Sequence, residues 1–504
     1  MQIPLKLRLD QLPSATTSTV KEELLERVSP AGLYPGQPRG RTADEIRKIK
    51  SETPSQEVKA PAHRSITPPL RYDIHHQSIC FFLNLFCFQA SRLYSFPVLD
   101  FLPGMLQNSS PTSCIHQAAM AVSRMTLADR YSGKDVRLQT GQEYGRALSF
   151  TNATIRDSST NIQDETVVSV WLLGLYELIS SVLTHARTAS QARNLEEEYQ
   201  SHLSHIRGAM NLLTLRGKSQ FTTARGEKVY RILKAAIQMR LFVLNSVTSK
   251  DFNNLEIDIY RDEHEFVPSE TANRATSYFY KVSHLFEQIK HFLTRKFERG
   301  EAAKRHAAYL IHCGESIDAE MTGWSKVEPG WDMMKIPADT AGTTWALYPC
   351  HAVYYFYSFW VYLYWLRYLI ARVKLYEALI ELVKADVAGM SLSTSGGRPS
   401  PTTTDSQISH YRAIVQRMTA EIVGLTAYAL GDVTPTGHFQ SAAVFTHHAR
   451  RGLQEINVIA AMQLVIPLKT LQRSEHPTPT QKGAIDLAIS HIGDGLRRQP
   501  LVFS

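Results

Sequence analysis

Two histidine pairs, His75-His76 and His447-His448, are the first places to look for a metal or proton-transfer site. Neighbouring residues on a helix point about 100° apart, so neither pair by itself puts two ring nitrogens on one ion. Asp262, Glu263, His264 and Glu265 form a denser titratable cluster. It lies between helical patterns, where a solvated charge run is expected. Gly493-Asp494-Gly495 begins like a dinucleotide fingerprint, but the third glycine is missing and no strand precedes it. The chain contains no G-x-S-x-G for a hydrolase nucleophile, no H-E-x-x-H for zinc and no G-x-x-x-x-G-K-[ST] for a phosphate. Its five cysteines, Cys80, Cys87, Cys114, Cys313 and Cys350, form no C-x-x-C pair. A thiolate zinc site is thereby excluded, and reduced thiols in a nuclear or cytosolic protein are expected. No catalytic, cofactor-binding or metal-binding residue is assigned, and the protein is not read as an enzyme.

The elements that would have to position a site are helices. The chain is 43% hydrophobic and 20% charged over 504 residues, enough for a large core. Its net charge of +8 is scattered rather than gathered into a stripe. The clearest pattern is a helical hairpin from Thr160 to Gly217. In its first arm Val168, Trp171, Leu172, Leu175, Ile179 and Val182 recur at helical spacing, with Thr160 and Gln163 as a capping box. In its second arm Tyr199, His202, Leu203, Ile206, Met210 and Leu213 share a stripe. Arg216 suits the negative helix end and Gly217 a left-handed cap.

Residues 1–71 read as a disordered tail, broken by prolines and low in aromatics. Arg39, Arg41, Arg47, Lys48 and Lys50 have the composition of an import signal, but Asp44 and Glu45 interrupt them. A solvated charge run is expected there instead. The N-terminus lacks the apolar core of a signal peptide, which makes the sequons at Asn108 and Asn152 chance matches. Residues 72–504 read as one helical domain. Helices are expected near 113–131, from 135, at 229–245, 273–296, 301–321, 407–429, 445–465 and 480–497. The 445–465 helix should end or kink before Pro467, which has no N–H to donate. A flexible loop is expected at 389–406, and another around Trp324, Gly330 and Pro337. Ala352–Leu366 is the most hydrophobic stretch, but Arg367 ends it short of the roughly 20 residues a membrane span needs. It is expected to be a buried central helix. No alternating strand pattern is evident, so the fold class is all-α.

The order of these segments resembles a known family. D-E-T-V-V-S-V-W-L-L-G-L-Y-E-L-I, followed by His205, Gly208, Ala209, Leu212, Leu213, Leu215, Arg216 and Gly217, is similar to the regulatory domain of fungal zinc-cluster transcription factors. So are L-D-F-L-P at 99–103, S-C-I-H-Q-A-A-M-A-V-S-R-M-T-L-A at 113–128 and Y-G-R-A-L-S-F-T-N at 144–152. Downstream, F-Y-S-F-W, L-Y-W-L-R and K-L-Y-E resemble its aromatic central helix. The segment from Ile466-Pro467-Leu468 to Gly495 resembles its closing helices. The resemblance implies a transcriptional regulator in the nucleus, serving a fungal secondary-metabolite gene cluster.

Such factors bind DNA through six cysteines holding two zinc ions, yet no cysteine precedes Cys80 here. A cysteine-rich exon upstream in the gene would supply the module. In the chain as given no zinc ligand or base contact can be carried over, the DNA-binding residues are unknown and direct DNA binding is doubtful. The partners implied are other transcription regulators or co-activators, with a small-molecule effector and a homodimer as further candidates and no membrane. The alternative is a small-molecule-binding or catalytic helical protein whose pocket is walled by the aromatic helix at 352–368.

Overall fold

The computed structural model describes residues 74–88, 99–128, 134–157, 162–185, 199–244, 269–294, 301–327, 331–337, 352–390, 401–433, 436–438 and 458–498. The N-terminal tail, the acidic cluster at 262–265, the pair at 447–448, Cys350 and Thr160 of the expected capping box lie outside them.

Among the described residues the fold is all-α apart from one two-stranded sheet. The first helices are α1 (Ile74–Leu83), running into a π-helical turn at Asn84–Phe88, then α2 (Phe101–Gln107), α3 (Cys114–Ala128) and α4 (Lys134–Arg156). The predicted hairpin follows as α5 (Asp164–His185) and α6 (Gln200–Arg216), and a 3-10 turn leads into α7 (Ala224–Val243). Helices α3, α4, α6 and α7 pack around α5. The expectation of a single apolar stripe on α5 is corrected, because Val170, Trp171, Leu172 and Leu173 are all buried. Helices on several sides leave it no solvent face. Asp164–Leu183 is long and apolar enough to cross a membrane, and 83% of that apolar window is buried inside the protein.

A second group consists of α8 (Ser269–Thr294), α9 (Glu301–Val327), α10 (Phe359–Met390) and α11 (Pro401–Gly424), gathered on α10. After the short α12 (Thr426–Ala429), α13 (Val458–Arg473) touches α5, α7 and α10, and α14 (Pro479–Arg498) touches α3, α5 and α11. These last two helices tie both groups into one hydrophobic core.

Four expectations change. Ala352–Tyr355 is not the start of the aromatic helix but strand β2, paired antiparallel with β1 (Met334–Pro337) in the register Met334 opposite Tyr355. Its A-V-Y-Y run is apolar throughout, so it shows no alternation to read. Ser358 then restarts the chain as a helix, its hydroxyl accepting from the Trp360 N–H at 3.2 Å. Trp324 belongs to α9 rather than to a loop. The low-complexity segment is helical at both ends, since α10 reaches Met390 and α11 begins at Pro401. Finally, α13 continues through Pro467 to Arg473. Interior proline costs about 3 kcal/mol, and burial of Val465, Ile466, Leu468 and Leu471 around it, each worth about 1.5–3 kcal/mol, outweighs that.

Candidate ligand pocket

Among the described residues the aromatic helix packs against its own core. Trp331, Tyr362, Phe356 and Tyr428 are buried, and ring pairs such as Trp331–Trp365 (5.2 Å) and Phe356–Tyr428 (5.2 Å) interlock. The void beside Tyr368, Trp324 and Arg367 holds about 10 Å³, room for one water at most. The expected pocket at 352–368 is therefore filled by its own side chains.

A ligand-sized cavity opens further along the same helix. On α10, Lys374, Glu377, Ala378 and Glu381 fall at intervals of three, four and seven residues, which sets them on one face. On α8, Phe286, Ile289, Lys290 and Leu293 repeat that spacing. The two faces and the turn Ser474–His476 after α13 enclose about 470 Å³, within the range of small-molecule sites. The turn is held from three directions. Ser474 Oγ donates to Glu377 Oε1 at 2.5 Å, and Gln416 Nε2 on α11 donates to the His476 carbonyl at 3.0 Å. Thr478 and Gln481 form a reciprocal capping box at the start of α14 (3.0 and 3.2 Å).

The polar groups are distributed unevenly. At the rim Lys384 Nζ lies 2.8 Å from Glu381 Oε1 and 2.5 Å from Glu475 Oε1. Hydrogen bonds from that ammonium hold the Glu475 carboxyl below its usual range. Glu381, Glu475 and His476 bring ligand atoms within 4.8 Å of one another, but the Lys384 ammonium already fills the role a cation would take between the two carboxylates. Deeper in, Lys374 is 6% exposed. Its nearest carboxylate oxygen among the described residues is Glu377 Oε2 at 3.7 Å, too far for a hydrogen bond. His476 is 5% exposed, burial keeps its imidazole below the ordinary value and hence neutral, and its Nδ1 has no protein partner.

The second buried polar group sits between the hairpin arms. Tyr144 Oη donates to Glu177 Oε1 at 2.6 Å and lies 2.9 Å from His205 Nε2. His202 Nδ1 donates to the Gly174 carbonyl at 2.7 Å. Burial lowers His205 to about 4, depresses His202 further and raises Glu177 and Tyr144. These groups lock helices together. At position 174 a Cβ would come 3.2 Å from His205 Cβ, so glycine permits the close approach of α5 and α6.

Among the described residues, those singled out by type and spacing do not converge. His75 meets Arg124 Nη2 at 3.0 Å, whereas His76 faces Cys80 Sγ at 3.5 Å. Gly493-Asp494-Gly495 lies inside α14, away from any strand-to-helix turn. Arg372 and Lys374, further along the same helix, have separate fates. Arg372 donates to both oxygens of Asp318 (2.5 and 3.0 Å), while Lys374 lines the pocket.

Comparison with known proteins adds one finding. A family profile described as the fungal specific transcription factor domain matches residues 74–369, from the start of α1 into α10. No curated protein and no solved structure matches the chain. The matched span contains the hairpin, the three segments upstream of it and the start of the aromatic helix that carried the resemblance, so the chain belongs to the fungal specific transcription factor domain family.

Proposed function

We propose that this protein regulates transcription in the nucleus, within a fungal secondary-metabolite gene cluster, and works through partner regulators or co-activators. The observation that carries this is the family match over 74–369, more than half of the chain. Residues 1–504 hold no six-cysteine array to grip DNA, so target choice is assigned to partners. Deleting the gene and tagging the protein tests the proposal. Nuclear signal with a changed transcript set supports it, and a strictly cytosolic protein whose loss alters no transcript refutes it.

The pocket supports one part of the alternative, small-molecule binding, at a position other than the aromatic stretch. A cavity of about 470 Å³ between α8 and α10 suits an effector of the regulator. Its donors and apolar walls suit binding.

A further inference from the structure

The pocket between α8, α10 and the Ser474–His476 turn combines three properties seldom found together in a merely imperfect packing seam. Its volume is about 470 Å³, and its α8 wall is apolar at Phe286, Ile289 and Leu293. Lys374 in its lining is more than nine-tenths buried, and its ammonium meets Glu377 Oε2 only at 3.7 Å, without a hydrogen bond from the protein. Buried polar groups in native proteins are nearly always satisfied, by protein or by something bound. The charges around it are mixed, with Lys290, Lys374, Lys384 and Arg412 set against Glu377, Glu381 and Glu475.

We propose that this pocket binds an uncharged, largely apolar small molecule whose carbonyl oxygen accepts from Lys374 Nζ. The acceptor follows from the ammonium, which has three donors and no protein hydrogen bond. The lack of charge follows from the neighbours of that ammonium. A ligand carboxylate on Lys374 would lie beside the Glu377 carboxylate, 3.7 Å from the same nitrogen, and be opposed by its negative charge. A ligand cation would meet Lys374 itself. The apolar body lies along Phe286, Ile289 and Leu293. This gives the effector of the proposed regulator a site and a chemical class, but the binding needs only the folded chain.

The test uses purified full-length protein and four probes with one apolar body and different heads: butyrophenone, phenylbutyramide, phenylbutyrate and butylbenzene. Binding is read by melting temperature and saturation-transfer NMR at about 1 mM. The ketone and amide should bind at least about tenfold more tightly than the carboxylate or the hydrocarbon, the factor expected of one hydrogen bond to a charged donor. Lys374→Met should bind ketone and hydrocarbon equally, and its melting temperature without ligand checks that it folds. Lys374→Arg should keep the preference for the carbonyl. Binding of none of the four, tightest binding by the carboxylate, or an unchanged preference in Lys374→Met would each overturn the proposal. Transcript measurements are independent of all these results, so the regulator assignment and the pocket can fail separately.

Discussion

Asp164 illustrates how one side chain takes over a role that sequence rules assign to another device. Arg216, suited by position to the negative end of α6, instead donates to Asp164 Oδ1 at 2.6 Å, with both side chains buried. Arg225 donates to Oδ2 at 2.8 Å. The first turn of α5 is thus pinned to the last turn of α6 and the first of α7. Asp164→Asn leaves Arg216 buried without its counter-charge, so urea unfolding should show a loss of about 3 kcal/mol. His205 supplies a pH dependence. Its folded value, about 4, lies below the ordinary 6.5, so the unfolded chain binds more protons between those limits. Its contribution is complete above pH 6.5 and is lost as pH falls toward 4, by up to about 3 kcal/mol. Glu177, held protonated to higher pH by burial, acts in the opposite direction. Comparing the pH dependence of unfolding for His205→Gln and the parent isolates the histidine: the variant should lose less stability between pH 6.5 and 4.

At the scale of elements, contacts between helices depend on small details. Gly174→Ala should push α6 away from α5, because the new methyl would sit 3.2 Å from His205 Cβ. A denaturation curve should register a loss of about 1–3 kcal/mol. The capping box at Thr478 and Gln481 makes a milder prediction. Thr478→Ala should cost about 1 kcal/mol and loosen the start of α14, seen as faster amide exchange there. That T-P-T-Q signature, with proline at the first helical position, is local and fully legible in the sequence. Strand β2 is not legible in the same way. Four apolar residues followed at once by an apolar helix carry no period, and only pairing with Met334–Pro337 distinguishes the strand from the helix.

For the whole molecule, the scattered net charge of +8 predicts how the purified chain meets DNA. Binding should be weak and should fall steeply with salt, as expected of phosphate contacts without base readout. Filter binding across a salt series measures this, and a tight sequence-specific complex at physiological salt would contradict it. The enclosure of α5 also makes a point about composition. Over Asp164–Leu183 that helix has the length and hydropathy of a membrane span, yet its neighbours bury most of it. Length and hydropathy alone do not distinguish a bilayer from a protein core as its surroundings.

By itself the sequence determined which stretches are helical, their order and the family they belong to, because hydrophobic period and capping are properties of neighbouring residues. Both arms of the hairpin and the all-α class were readable in that way. The pocket was not. Lys374, Phe286 and His476 come from three elements as much as 190 residues apart, and each fits an ordinary pattern where it stands. Only tertiary packing decided that the ammonium would be buried beside Glu377 without a hydrogen bond, that Lys384 would neutralise the acidic rim, and that the aromatic rings would fill their own space. Burial and charge compensation depend on what the rest of the chain brings alongside, and no local spacing encodes that.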